Sequence, residues 1–215
     1  LNAMDTCLDM GASISTAIGA SKVSDGKKHI FATIGDGTFL HSGMTGLLDA
    51  VYNEANITVV ILDNRITAMT GGQEHPHSGK TLSGAEAMEI DFEALAKSLG
   101  VKHVQRVMNH DLEDVEAGLK EAEEFVGTSV IIAESPCALM PYKIKETPFT
   151  VIEENCTACM RCVQTGCPSI SLTGALTPEG RARAVIDLET CTGCGLCPQT
   201  CNDEAIMLVS TEVNA

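Results

Sequence analysis

Ten cysteines are spread very unevenly along this chain of 215 residues, and their spacing limits the possible fold more than any other feature. Eight of them lie in the last third, in two runs that each open with three cysteines separated by two residues. The first run contains Cys156, Cys159, Cys162 and Cys167, and the second contains Cys191, Cys194, Cys197 and Cys201. Dense runs of this kind are typical of metal ligation, whereas the disulfides of secreted proteins are more widely spread.

The spacing within each run predicts two [4Fe–4S] clusters. Three cysteines at this spacing lie on one turn of backbone and face a single cluster, whereas the fourth lies too far round and binds the other cluster. The predicted ligands are Cys156, Cys159, Cys162 and Cys201 for one cluster, and Cys167, Cys191, Cys194 and Cys197 for the other. A pair of structural zinc sites is the alternative, although zinc gains nothing from a third cysteine at this spacing in both halves.

The sequence around the two runs repeats, which predicts a small domain of two similar halves at residues 146–215. A Val-Ile pair precedes each run, at 151–152 and at 185–186, and a short apolar segment follows each run. Each half is expected to contain a strand, a cysteine loop, a short helical turn and a second strand. The region of about 150–210 resembles the bacterial-type two-cluster ferredoxins, apart from one extra residue before Cys167 and Asn202 in place of the usual proline. So small a module has little apolar core, and its clusters are expected to contribute to folding.

Residues 1–145 have a different pattern, in which apolar strands alternate with amphipathic helices. Strands are predicted at 29–34, 57–62, 101–107 and 129–134, and helices at 11–24, 41–55, 91–99 and 111–126. Alternation of this kind predicts an α/β domain with a doubly wound parallel sheet. Ligands of such sheets bind beyond the carboxyl ends of the strands, so the loops after Ile34 and Leu62 carry the most information.

Those two loops contain Gly35-Asp36-Gly37-Thr38 and Asp63-Asn64-Arg65-Ile66. The ends of two parallel strands can bring Asp36 and Asn64 together, and their oxygens are hard ligands suited to Mg²⁺. Glycines beside Asp36 allow a diphosphate to approach the backbone, and the following helix N-terminus favours its negative charge.

The pairing of Gly-Asp-Gly with a later Asn resembles the diphosphate motif of thiamine-diphosphate enzymes. The resemblance implies that the side chains of Asp36 and Asn64 and the carbonyl of Ile66 bind Mg²⁺. Asp63 replaces the first Asn of the usual Asn-Asn pair, as is typical of the 2-oxoacid:ferredoxin oxidoreductase branch. The residues implied in cofactor binding are Gly11, Ala12, Ser13, Gly35, Asp36, Gly37, Thr38, Asn64, Ile66, Thr70, Gly71, Gly72 and Gln73.

The order of these motifs along the chain resembles the C-terminal part of the alpha subunits of indolepyruvate ferredoxin oxidoreductases. The resemblance implies oxidative decarboxylation of an aryl 2-oxo acid with coenzyme A, giving an acyl-CoA and CO₂, with electrons leaving through two clusters to an external ferredoxin. It also implies a pyrimidine-binding segment, upstream or on a partner subunit, and hence a hetero-oligomer. The alternatives are an electron-transfer or assembly subunit without its own catalytic site, and a non-oxidative thiamine-diphosphate decarboxylase.

Several further residues are candidates with competing interpretations. His41, just beyond the Gly-Asp-Gly turn, is the candidate for a polar contact near the reacting carbon, or else an ordinary histidine on a helix surface. His75 and His77 flank a proline in a glycine-rich segment and could contact substrate or diphosphate. Cys7 lies near the predicted cofactor residues or is a structural thiol, and Cys137 is expected to be structural.

Charge and composition exclude two classes of function. A net charge of −15 and an aromatic content of 3% make a nucleic-acid binder improbable, because the chain offers little phosphate neutralisation or base stacking. No apolar run approaches the ~18 residues of a membrane span. Oxygen-sensitive clusters lead us to expect a cytoplasmic protein, and the opening Leu-Asn-Ala-Met leads us to expect that sequence is missing upstream.

Overall fold

The computed structural model describes residues 4–24, 28–140 and 146–209. These residues fall into two compact units, one within Met4–Lys143 and the other within Ile144–Ala215.

The first unit is built on a sheet of four parallel strands. They are β1 (Ile30–Gly35), β2 (Ile57–Asp63), β3 (His103–Met108) and β4 (Thr128–Glu134). Their spatial order is β1-β2-β4-β3, with Gly35 of β1 in register with Leu62 of β2. All four strands therefore end at one edge of the sheet, and the predicted parallel α/β fold is confirmed.

The helices of this unit are α1 (Ser13–Val23), α2 (Asp36–Thr38), α3 (Met44–Tyr52), α4 (Phe92–Ser98) and α5 (Leu112–Glu124). A π-helical turn, Phe39–Gly43, joins α2 to α3, so that the backbone stays helical from Asp36 onward. The prediction placed the start of this helix at residue 41, which is wrong by five residues. Its first turn holds Gly37 and Thr38, whose low helix propensity hides the true start.

Helices pack on both faces of the sheet and create two apolar cores. On one face, Val59 and Ile61 of β2 pack with Ile14 of α1, Leu47 of α3 and Phe92 of α4. The core on the other face holds Val60, Val107, Ala122, Ile131 and Ala133, with Val115 and Leu119 of α5 packed against it. Because β2 and β4 are covered on both faces, polar residues of functional interest collect at the strand ends.

The second unit has two antiparallel strand pairs and two short helices. Its elements are β5 (Phe149–Val151), α6 (Arg161–Gln164), β6 (Ile170–Ser171), β7 (Val185–Ile186), α7 (Leu196–Gln199) and β8 (Ile206–Leu208). Strand β5 pairs with β8, and β6 pairs with β7. Its apolar cluster holds Ile186, Cys191, Cys197 and Ile206, and Phe149, Val151, Cys162, Ile170 and Cys201 pack against it. Cysteine side chains are therefore a substantial part of the core of this unit.

Across the described ranges 4–24, 28–140 and 146–209, every helix is too short or too polar to span a bilayer.

Candidate functional site

Asp36 and the segment after β2 meet at the carboxyl edge of the parallel sheet. The backbone N–H groups of Asn64 and Arg65 donate to Asp36 Oδ2 at 3.1 and 2.8 Å, and that of Gly37 donates to Oδ1 at 2.7 Å. Asn64 Oδ1 in turn accepts from the N–H of Ile66 at 3.1 Å. The first turn of α2 and the loop after β2 are thus joined through a single buried carboxylate.

The remaining hydrogen-bonding capacity of these two side chains fits a hard cation. An ionised carboxylate has about four acceptor positions, and three of those on Asp36 are used by backbone donors. Asn64 Oδ1 has one recorded donor and a second lone pair. Mg²⁺ is typically bound through one or two carboxylates and completes its octahedral shell with other oxygens, including those of phosphate and water. The side-chain oxygens of Asp36 and Asn64 therefore fit the predicted magnesium site.

His75 is buried beside this carboxylate. Its side chain is 6% exposed, and Nε2 lies 3.3 Å from Asp36 Oδ2. That nitrogen is buried and makes no hydrogen bond of acceptable geometry among the described residues. A buried ring nitrogen without a good partner, next to the candidate metal ligand, marks this as a place built for a bound group.

A second buried histidine, His77, pairs with Asp63 at the last position of β2. His77 Nε2 lies 2.8 Å from Asp63 Oδ2, and His77 Nδ1 lies 2.5 Å from the carbonyl oxygen of Ile90. Burial opposes the charged forms of both groups. The hydrogen bond and opposite charge of the partner outweigh that effect, so that the pKa of His77 is raised and the pKa of Asp63 is lowered.

This pair fastens the long loop between β2 and α4. His77 lies near the middle of the loop, Ile90 lies at its end, and Asp63 lies immediately before Asn64. Arg65 adds a further tie, since its guanidinium pairs with Glu89 and its Nε lies 3.5 Å from Asp63 Oδ2. The loop is therefore held at three points over the edge of the sheet that carries Asn64.

Replacing His77 by alanine is expected to destabilise the protein. The change leaves the Asp63 carboxylate, whose side chain is 0% exposed, without its main partner. Breaking a buried pair from one side lowers the free energy of unfolding by about 3 kcal/mol, which urea unfolding would measure. The exposed His41 provides the matched control, and His41→Ala should change the same quantity by less than about 0.5 kcal/mol. Equal losses in both variants would contradict this function of His77.

The segment Gly11-Ala12-Ser13 lies at the start of α1, close to the helix that follows β1. Gly11 has a φ of +96°, and a Cβ atom there would lie 2.4 Å from Ser42 Oγ. Ser13 Oγ is buried and has no hydrogen-bond partner within the described part of the chain. Sequence prediction assigned these residues to the cofactor, and the structure places them next to the π-helical turn.

Thr70, Gly71, Gly72 and Gln73 form a tight turn closed by a bridge between Thr67 and Gln73. Both glycines have positive φ, 112° and 82°, which explains why the turn needs them. A Cβ atom at Gly37 would lie 2.7 Å from Thr67 Oγ1. This turn and the Gly-Asp-Gly segment therefore approach each other closely.

Three further candidates were predicted as single residues, namely His41, Cys7 and Cys137. His41 is exposed on the π-helical turn, a type of helical irregularity that is frequent at functional sites. Cys7 is exposed, and Cys137 is partly buried with its N–H donating to the Asn64 carbonyl at 3.0 Å. Cys137 therefore supports the backbone of the predicted magnesium ligand.

The second unit brings four cysteines together around one cavity. This open cavity is lined by Cys156, Cys159, Cys162 and Cys201, here named the first cysteine set. Burial, with the nearby thiols of Cys156 and Cys159, raises the pKa of Cys162. Cys201 Sγ accepts a hydrogen bond from the N–H of Ala205 at 3.3 Å. Three cysteines of one run and the last cysteine of the other thus share a site.

The two runs contain four further cysteines, here named the second cysteine set: Cys167, Cys191, Cys194 and Cys197. Burial and the proximity of the other three raise the pKa of the Cys197 thiol to about 12. Four close thiols, two of them buried and two partly buried, are unfavourable as thiolates unless a metal centre compensates their charge. This set therefore also fits a metal centre.

The backbone of the two cysteine loops has the same shape. Ala158 and Met160 have positive φ, 54° and 72°, and Gly193 and Gly195 occupy the corresponding places with 74° and 77°. Non-glycine residues in this region are strained by about 1 kcal/mol or more each. The first loop keeps the shape despite that cost, which indicates that the shape itself is required.

The structure does not itself decide between a cluster and a single metal ion at either cysteine set. Within residues 4–24, 28–140 and 146–209, no three His, Cys, Asp or Glu residues are placed to hold one metal ion. The preference for [4Fe–4S] clusters over zinc rests on the spacing of the cysteines.

Comparison with known proteins agrees with the geometry of the sheet edge. The chain belongs to the family of thiamine pyrophosphate enzymes, because the profile of their C-terminal TPP-binding domain matches residues 1–133. Along 95% of its length it is 38% identical to the indolepyruvate oxidoreductase subunit IorA of Pyrococcus abyssi, and 36% identical to the IorA of Methanothermobacter thermautotrophicus. The family resemblance predicted from the motifs is confirmed.

The chain spans about a third of the length of these curated relatives, 34% and 32% respectively. A further relative, the pyruvate:ferredoxin oxidoreductase of Moorella thermoacetica, is 34% identical over 52% of this chain and 10% of its own length. Among solved structures, the 2-oxoglutarate:ferredoxin oxidoreductase of Magnetococcus marinus has a TM-score of 0.53 at 21% identity, over 59% of this chain and 45% of that one. That structural likeness supports the fold.

Proposed function

We propose that this chain supplies the thiamine-diphosphate site and the internal electron carriers of an enzyme that oxidatively decarboxylates an aryl 2-oxo acid. The products are an acyl-CoA and CO₂, and two electrons pass through two [4Fe–4S] clusters to an external ferredoxin. The relatives named as indolepyruvate oxidoreductase subunits support the choice of an aryl acid, such as indolepyruvate.

The observation that carries the proposal is that one chain holds both kinds of site. Asp36 and Asn64 offer hard oxygens at the edge of the parallel sheet, and two cysteine sets offer thiolates in the second unit. A docking or assembly subunit has no use for the first site, and a non-oxidative decarboxylase has no use for the second. Oxidative decarboxylation that passes its electrons to ferredoxin uses both.

The magnesium ligands are the side chains of Asp36 and Asn64 and the carbonyl oxygen of Ile66. The bound thiamine diphosphate supplies the carbanion chemistry that releases CO₂ from the acid. Around the diphosphate, the chain offers the backbone of Gly35, Gly37 and Thr38, and the glycine-rich turns that begin at Gly11 and Thr70. His75 lies buried against Asp36, with its Nε2 available to a bound group.

His41 is the proposed polar contact to the substrate. It stands on the exposed side of the π-helical turn, one helical turn beyond the Gly-Asp-Gly segment. An imidazole there can exchange hydrogen bonds with a carboxylate or a carbonyl oxygen at neutral pH. Exposure in this chain is compatible with a substrate pocket completed by another protein segment.

A further segment completes the enzyme. Thiamine enzymes also need a segment that binds the pyrimidine ring, and we assign it to an upstream region or a partner subunit. The relatives named as subunits support a hetero-oligomer as the active enzyme. The oxygen sensitivity of [4Fe–4S] clusters favours work in the cytoplasm of an anaerobe.

The thiamine site is tested by calorimetric titration of thiamine diphosphate onto the purified protein under anaerobic conditions. Saturable binding at about one equivalent is expected in the presence of Mg²⁺ and should disappear when the metal is chelated. Affinity that is unchanged without Mg²⁺ would contradict the proposed ligand set.

A further inference from the structure

Positive charge is placed unequally around the two cysteine sets. Arg161, Arg181 and Arg183 are the only cationic residues within residues 146–209, where acidic residues predominate. Arg161 lines the cavity of the first cysteine set. The side chain of Arg181 is exposed, and its nearest acidic partner is Glu179 at 3.9 Å. The third arginine, Arg183, is partly buried and is bound to the first cysteine loop.

Arg183 is fixed by three backbone carbonyl groups. Its Nε donates to the carbonyl oxygen of Cys156 at 3.1 Å. Its Nη1 donates to the carbonyl oxygens of Leu176 at 2.7 Å and Ala175 at 3.4 Å. These three partners are neutral, and the exposed carboxylate of Glu179 acts on the charge of Arg183 only through space. The cation is therefore held directly behind a ligand of the first set.

Acidic residues also lie near the first set. Asp203 lines the same cavity and accepts a hydrogen bond from Thr157 Oγ1 at 2.7 Å, and Glu153 and Glu154 precede Cys156 in the sequence. These three carboxylates are exposed, so solvent screens them more than the partly buried Arg183. The N–H group of Ala205, which donates to Cys201 Sγ, adds a positive dipole.

The loop of the second cysteine set has no equivalent arginine contact. Among the described residues 146–209, Arg183 hydrogen-bonds the first loop at Cys156, and no arginine is hydrogen-bonded to residues 191–197. The two sites thus differ in the presence of a fixed guanidinium although their loops share one backbone shape.

We propose that Arg183 raises the reduction potential of the cluster on the first set above that of the cluster on the second set. A reduced cluster carries one more negative charge, and a fixed cation and N–H···S bonds stabilise it. The first electron received by the chain then resides on the first cluster. This inference rests on the proposed function, because it requires both clusters to be present.

The test is an anaerobic redox titration of the holoprotein, with the reduced clusters followed by electron paramagnetic resonance. In the Arg183→Gln variant, the reduced-to-oxidised ratio of the higher-potential cluster at a fixed applied potential should fall about tenfold, while the lower-potential cluster changes little. Arg181→Gln removes the same charge from the same connector at an exposed position and should leave both potentials unchanged.

Arg183→Lys separates charge from hydrogen bonding and remains informative if the glutamine variant folds poorly. Lysine keeps the cation but loses the fork of carbonyl contacts, so most of the original potential should be retained. Three results would overturn the inference: unchanged potentials in Arg183→Gln, an equal shift in Arg181→Gln, or a shift in Arg183→Lys as large as in Arg183→Gln. A protein that assembles no clusters would instead contradict the proposed function itself.

Discussion

Replacing Asp36 by alanine is expected to abolish Mg²⁺-dependent binding of thiamine diphosphate. The carboxylate supplies a metal ligand and also organises the loop that carries Asn64, through the N–H groups of Asn64 and Arg65. Loss of an outer partner of a metal typically costs about 10–100-fold in affinity, and loss of a ligand that also holds a second ligand should exceed about 100-fold. Calorimetric titration with saturating Mg²⁺ measures the effect.

Two controls separate loss of binding from loss of folding. Asp49→Ala removes an exposed carboxylate from α3 and should leave the affinity for thiamine diphosphate unchanged. Asp36→Asn keeps an acceptor oxygen for the backbone donors but loses the negative charge, so it should fold and still bind the metal weakly. Wild-type affinity in a folded Asp36→Asn protein would show that this carboxylate does not bind Mg²⁺.

Replacing Cys201 by serine is expected to remove the first cluster and spare the second. Although Cys201 belongs to the second run in sequence, it lines the cavity formed by Cys156, Cys159 and Cys162. Iron and sulfide should fall to about half of their wild-type contents, as expected for the loss of one of two [4Fe–4S] clusters. Chemical analysis and the spectrum of the remaining cluster provide the measurement.

The comparison with other cysteine variants decides which cluster is lost. The spectrum of Cys201→Ser should match that of Cys156→Ser and differ from that of Cys191→Ser. Cys137→Ser, which changes a thiol outside both sets, should retain the full iron content. If Cys201→Ser resembles Cys191→Ser instead, each run holds its own cluster, and the crossed assignment is wrong.

The sequence predicted the sheet edge well because its signals are local. Buried parallel strands appear as apolar runs, and polar residues at their ends mark the ligand-binding edge. Asp36 and Asn64 could be paired from this rule alone. In the structure the backbone nitrogen of Asn64 lies 3.1 Å from Asp36 Oδ2. The crossed pairing of the cysteines was predicted in a similar way, from the position of the fourth cysteine in each run.

The positions of the two loop histidines could not be predicted from sequence. His75 and His77 lie in a polar, glycine-rich stretch, which suggests an exposed loop. Their burial depends on Asp36 and Asp63, which lie 39 and 14 positions away in the chain (75 − 36 and 77 − 63). Asp63 provided the one available signal, since an acidic residue ending a buried strand requires a partner.

The backbone of the first cysteine loop was equally hidden. Positive φ in the second loop could be predicted from Gly193 and Gly195. In the first loop, Ala158 and Met160 adopt the same conformation without glycine. Only the internal repeat connects the two loops. Likewise, the hydrogen bond from Arg183 to the carbonyl oxygen of Cys156 joins residues 27 positions apart in the chain. No sequence pattern predicts that contact.

The central claim is that electrons released from a 2-oxo acid at the thiamine site reach the clusters of this same chain. The most direct test is to mix the oxidised, anaerobic holoenzyme, assembled with its partner segment, with indolepyruvate in the absence of external ferredoxin, and to record electron paramagnetic resonance spectra. Signals of reduced [4Fe–4S] clusters should appear, and they should be absent when the enzyme carries Asp36→Ala or when this chain is assayed alone. Release of CO₂ with the clusters still oxidised would contradict the claim.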